Sequence, residues 1–253
     1  MTVGGDNKHN NATNEVYTFE KSLKARKWKQ IIPPMPTARS FPCVLSLQSA
    51  LIVAGGMLQL HDYTEIIEIF KPDMSQWYRT CVLPPKLTFY SISGIILQLI
   101  AIGDKVYTIG GSEHTDQMFI ASVDDLLHCA VPATAKEITH IPSPSRDTSL
   151  KSAWKELCET ETYAPAVSVL AGNLLTIGGG MGFGSMSTKV YTYSSSTNSW
   201  VHICDAPFRQ AGAAVAVLSS TEILVIGGWL DDDMERLDSV YKGTLHIILD
   251  CEN

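Results

Sequence analysis

The chain has 253 residues and a formal net charge of −7, with no basic run, which argues against nucleic acid or an anionic membrane surface as a partner. Its six cysteines (Cys43, Cys81, Cys129, Cys158, Cys204 and Cys251) stand far apart with no C-x-x-C pair, so neither a zinc site nor a dithiol motif is expected and the thiols are read as reduced. No charged-then-apolar leader opens the sequence, and the longest apolar run, residues 92–102, is too short to span a bilayer; the expected location is cytoplasmic.

Taken in order, one short pattern recurs. The strand end TVGG closes at Gly4-Gly5, followed by a strand over 16–20 and another from Trp28. SALIVAGG closes at Gly55-Gly56, and EIIEIFKPDMSQW leads to Trp77. DKVYTIGG closes at Gly110-Gly111, with Trp154 after a stretched interval. GNLLTIGGG carries Gly178-Gly179, and the alternating strand VYTY at 190–193 leads through a Ser/Thr/Asn turn to Trp200. TEILVIGG closes at Gly227-Gly228 and is followed by DSVY at 238–241. The second glycines, Gly5, Gly56, Gly111, Gly179 and Gly228, are 51, 55, 68 and 49 residues apart, and the glycine-to-tryptophan gap is 23, 21 and 21 in the first, second and fourth copies.

A period of about 50 residues built from short strands points to a propeller. Each unit of strands has apolar faces that it cannot bury alone, and stacking the units around an axis buries them. The pattern resembles the kelch repeat: an apolar strand ending in Gly-Gly, an aromatic about a dozen residues on, then Trp. The resemblance covers nearly the whole chain. It implies an all-β, kelch-type β-propeller of four-stranded antiparallel blades, strands a to d from the axis outward, with Gly-Gly closing b, the aromatic in c and Trp in d.

On this reading the whole chain is one propeller domain. Blade 1 is partial and spans 1–32, blade 2 spans 39–81, blade 3 spans 88–158, blade 4 spans 163–204 and partial blade 5 spans 211–253. Blade 3 carries an insertion between c and d, about 129–150, in which Pro132, Pro142, Pro144 and several serines predict a surface loop. Three blades are complete; blade 1 lacks a, and blade 5 lacks a Trp-bearing d unless 245–249 supplies an atypical one. The two ends overlap on strand c instead of completing one blade, so the expectation is a partial chain with sequence missing upstream, or both upstream and downstream.

The d–a and b–c loops emerge on one rim, where proteins of the resembled family hold partners. Arg39 and Arg209 stand just before strand a of their blades, with Tyr90 and Tyr163 near the corresponding places in blades 3 and 4. Arg and Tyr are favoured interface anchors, and the plainer alternative for each Arg is a loop tether paired with an acid. Phe183 and Trp229 follow glycine-rich strand ends and serve as partner anchors or fold back over the blade. His61 and His114 occupy equivalent b–c loops, where loop polarity alone accounts for them. Asp231-Asp232-Asp233 lacks the alternating calcium-loop pattern and reads as a solvated acidic rim. No histidine spacing, nucleophile elbow or phosphate loop calls for a catalytic group, metal or cofactor.

The resemblance implies a protein–protein interaction module that binds a protein or peptide on this rim, as the substrate-recognition part of a cullin-type ubiquitin ligase adaptor whose BTB region lies outside this sequence. An actin-binding scaffold is the alternative. A propeller enzyme of the copper oxidase or sugar-acid isomerase type is the third reading; strand a offers little beyond Cys43 and Tyr90 for it.

Overall fold

Apolar, β-branched runs bounded by glycine or polar turns fold here as short strands. The structure is a computed structural model that describes residues 1–9, 11–21, 26–30, 32–47, 49–59, 62–84, 97–110, 117–128, 130–133, 153–181, 185–230 and 235–245. Among these residues the fold is all-β and of β-propeller type, with five small antiparallel sheets as blades and very little helix. The chain forms two compact units, residues 1–92 with 121–155 and residues 93–120 with 156–253.

In the first unit, blade 1 is β1 (Thr2–Val3), β2 (Val16–Lys21) and β3 (Arg26–Lys29), paired in that order. Blade 2 is built from β4 (Cys43–Leu47), β5 (Ala50–Ala54), β8 (Ile66–Lys71) and β9 (Gln76–Val82). A small hairpin, β6 (Met57–Gln59) and β7 (Asp62–Tyr63), leaves the end of β5. The middle strands β5 and β8 are buried on both faces, which explains their near-continuous apolar sequence. The core joins Val16 and Met35 to Leu51, Val53, Phe70 and Trp77.

The insertion after the third strand of blade 3 is more ordered at its start than a plain loop. Residues Val123–His128 form helix α1, with Ser122 Oγ accepting from the Asp125 amide at 3.0 Å as an N-terminal cap. Strand β13 (Val131–Pro132) then pairs with β9 and adds a fifth, outer strand to blade 2. Proline is tolerated there because an outer strand leaves one side of its backbone unpaired. Thr80 donates to the carbonyl of Leu126 and fixes α1 to the same strand. The remainder of the insertion, 134–152, lies outside the described residues.

Blade 3 is β10 (Gln98–Ile102), β11 (Lys105–Ile109), β12 (Met118–Ser122) and β14 (Lys155–Glu156). In the second unit blade 4 is β15 (Ala166–Leu170), β16 (Asn173–Ile177), β17 (Lys189–Ser194) and β18 (Ser199–Asp205). Blade 5 is β19 (Ala214–Val217), β20 (Glu222–Ile226) and β21 (Val240–Thr244). Past β21, the Leu245 amide still donates to Thr221, and 246–253 lie outside the described residues. No helix among the described residues is long and apolar enough to cross a membrane.

The repeated tryptophans do one job. Trp28, Trp77 and Trp200 each lie opposite an aromatic of the neighbouring strand, Phe19, Phe70 and Tyr193, with ring centroids 5.3, 5.3 and 5.5 Å apart. Burial pushes the Tyr193 phenol up to about 12, with Cys158 and Tyr107 adding to the shift. A phenol whose folded value lies above its ordinary 10.0 contributes stability that is complete below pH 10 and lost as pH rises through about 12. The variant Tyr193→Phe is expected to flatten the alkaline arm of stability against pH between those values, read by urea unfolding at stepped pH.

Candidate interaction rim

In blades 2, 4 and 5 the chain is held by the residue just past the Gly-Gly pair. Met57, Gly180 and Trp229 each exchange two backbone hydrogen bonds with a d–a loop residue, Ser40, Tyr163 and Ala211, at 2.8 to 3.0 Å. The d–a and b–c loops of a blade are therefore stitched to each other. The next d–a residue turns left-handed: Phe41 at φ 50°, Ala164 at 47° and Gly212 at 60°.

The glycine pair makes this corner possible. Gly178 has φ 66°, and a Cβ on it would lie 2.5 Å from the backbone oxygen of Gln210. That same oxygen accepts from the Gly179 amide at 2.9 Å. In the first unit Gly4 stands against the Arg39 carbonyl in the same way, and Gly5 donates to it. In these two cases the glycine corner of one blade carries the next blade's d–a loop.

Counting from the stitched residues, Arg39 aligns with Thr162 and Gln210. Arg209 stands one place earlier, so Arg39 and Arg209 are not structural equivalents. Their surroundings differ accordingly. Arg39 is completely buried: Nη2 donates to Glu68 Oε2 at 2.8 Å, and Nη1 donates to the carbonyls of Gly55 and Ile66 at 2.8 and 2.9 Å. Glu68, also fully buried, accepts from Thr37 Oγ1 at 2.7 Å and from Arg79 Nε at 3.4 Å. Burial pulls the Arg39 guanidinium below its ordinary value and Glu68 opposes that pull. Arg39 is a loop tether, and its guanidinium is spent inside the blade. Arg209 is exposed. In blade 4 the tether is lighter: Thr162 Oγ1 donates to Gly178 at 2.8 Å. In blade 5 the buried carboxamide of Gln210 has no hydrogen-bond partner at either end among the described residues.

Tyr163 and Trp229 fold back onto glycine. The Tyr163 ring covers Gly180, where a Cβ would come within 2.0 Å of it, and the Trp229 ring covers Gly212, where a Cβ would come within 1.7 Å. Both rings pack against Ala164, Met186 and Ala211 and remain half-buried, with one side of the cluster toward solvent. Met181 and Leu230, next along the two b–c loops, are exposed. At the base of the neighbouring d–a loop, the Asp205 carboxyl is held below its ordinary value by hydrogen bonds from Lys189 and His202. His61, Tyr90, His114, Phe183 and the Asp231–Asp233 run lie outside the described residues.

Sequence reasoning missed Phe41. It is 78% exposed and left-handed, in a position where blades 4 and 5 place Ala164 and Gly212. The available signal was its place directly after the stitched d–a residue. Among the described residues no three His, Cys, Asp or Glu side chains converge as a metal site. Compared with protein-family models and with curated proteins, the chain matches none.

Proposed function

We propose that the chain is a non-enzymatic interaction module that holds a protein or peptide on the rim of its stitched d–a and b–c loops. A propeller fold suits such a role in general, because a rigid stack of blades presents many short loops on one side. The observation that carries the reading is the second unit's loop cluster. Tyr163 and Trp229 are preorganised on glycine, Met181 and Leu230 stand exposed beside them on the loops, and Arg209 is an exposed cation on the d–a loop. Rigid aromatics with an adjacent Arg are the usual anchors of interfaces.

The finer reading rests on the kelch resemblance: a cytoplasmic substrate-recognition domain of a cullin-type ligase adaptor, joined to a BTB region in a longer chain. The test uses peptides selected from a random library on the 253-residue chain. Arg209→Ala combined with Trp229→Ala is expected to weaken the best binder at least tenfold, about 1.4 kcal/mol or more, by calorimetry, with the circular dichroism spectrum unchanged. Unchanged affinity in the folded double variant overturns the assignment.

A further inference from the structure

The left-handed residue of the d–a loop is used differently in the three stitched blades. Ala164 is 1% exposed and Gly212 lies under the Trp229 ring, whereas Phe41 is 78% exposed. The backbone at Phe41 is held from both sides. Ser40 exchanges two hydrogen bonds with Met57, and Pro42 lies against Gly56, where a Cβ would come 3.3 Å from the Pro42 Cα and 2.7 Å from the Ser40 carbonyl oxygen. The corner therefore imposes the left-handed turn on whatever residue stands at 41.

Phenylalanine is unsuited to this place on three counts. A bulky L residue at φ 50° is strained, where glycine is not. Pro42 pushes the residue before it toward extended backbone, against the turn. An exposed ring gains almost no burial energy to offset either effect. Strain that packing does not repay marks a side chain kept for contact with something else. The surroundings of the ring add a sign of charge. Ser40 Oγ donates to Asp6 Oδ1, which sets one exposed carboxylate beside the loop. Met57, stitched to Ser40, pairs with Tyr63 on β7, next to the exposed Asp62. Against these two carboxylates stands one exposed ammonium, Lys8, on the turn that carries Asp6, while the Arg39 guanidinium is turned into the blade. The chain's net charge of −7 has the same sign.

We propose that Phe41 is a projecting anchor for a basic peptide segment of a partner protein. An apolar side chain of the segment packs on the Phe41 ring, and its Lys or Arg meets Asp62 and Asp6. The ring supplies contact area from a backbone already fixed by Ser40 and Gly56, so little conformational freedom is lost on binding. The carboxylates select the sign of the partner's charge and speed its arrival. This goes beyond the rim reading above, because it stands on the first unit alone and on residues other than Tyr163, Arg209 and Trp229.

The experiment pans a random peptide library on the 253-residue chain, with Phe41→Gly as the counter-selecting bait, and measures the recovered peptides by calorimetry. They are expected to carry Lys or Arg beside an aromatic or Leu, and to bind less tightly as salt is raised. Phe41→Ala and Phe41→Gly are each expected to weaken them about tenfold or more, and Asp62→Asn by a smaller factor. Arg209→Ala with Trp229→Ala is expected to leave them unchanged, which separates this site from the one on the second unit. Urea unfolding supplies the second readout. Phe41→Gly is expected to unfold at higher urea than the wild-type chain, because the strain is gone, and Phe41→Ala close to the wild-type midpoint, because the strain remains and the lost ring was exposed. A library that yields no peptide dependent on Phe41 overturns the proposal, as do recovered peptides that are acidic. A Phe41→Gly chain less stable than wild type overturns it too, since the ring would then be serving the fold.

Discussion

Glu68→Ala is expected to lower the unfolding free energy by about 3–5 kcal/mol, the cost of leaving a buried cation without its anion. Glu68 is fully buried and is the acceptor for three donors, from Thr37, Arg39 and Arg79. Its removal leaves the Arg39 guanidinium, itself fully buried, with only backbone carbonyls. Against a typical total of about 5–15 kcal/mol the loss is large. Glu68→Gln is expected to be nearly as damaging, since the missing charge and not the missing volume decides the effect. Urea unfolding of Glu68→Ala, Arg39→Met and the double variant closes the cycle, and the double variant is expected to be more stable than the sum of the single losses implies, because no lone charge remains. Strict additivity would show that the pair does not act as a unit.

Gly178→Ala is expected to cost about 3–4 kcal/mol, well above an ordinary glycine substitution. Two terms combine. A left-handed backbone costs an L residue about 1–2 kcal/mol. The added methyl would also stand 2.5 Å from the Gln210 carbonyl, a backbone atom that can move only by loosening the Gly179 hydrogen bond to it. Gly172→Ala is the control. Gly172 has φ 82° but nothing within 4 Å of the position its Cβ would take, so only the first term applies. Thermal or urea unfolding of the two variants separates the terms, and equal losses would mean that the inter-blade contact carries no weight.

The strand pattern was legible because a sheet packed on both faces writes itself as an apolar run, and because a corner that needs two left-handed residues writes itself as Gly-Gly. The tryptophan spacing was legible for the same reason: Trp77 and Trp200 sit opposite Phe70 and Tyr193 across one ladder. The rim was legible only in part. Arg39 and Arg209 look alike in the linear sequence, and a slip of one residue puts one in the core and the other in water. Glu68 gave no sign of being the anion for Arg39, because the pair is 29 residues apart and meets only across the folded blade. Strand β13 was hidden for a similar reason: its pairing with β9 joins distant segments, and Pro132 argues locally for a loop. Phe41 carries no motif at all; its backbone angle, and not its sequence, sets it apart.

We propose that the stitched loops hold the partner. Amide hydrogen exchange with and without a library-selected peptide tests it most directly. Protection is expected on residues 161–164, 209–212 and 228–230, where the loops meet through Tyr163, Ala211 and Trp229. Protection confined to the outer turns at 72–75 and 195–198, with the stitched loops unchanged, would contradict it.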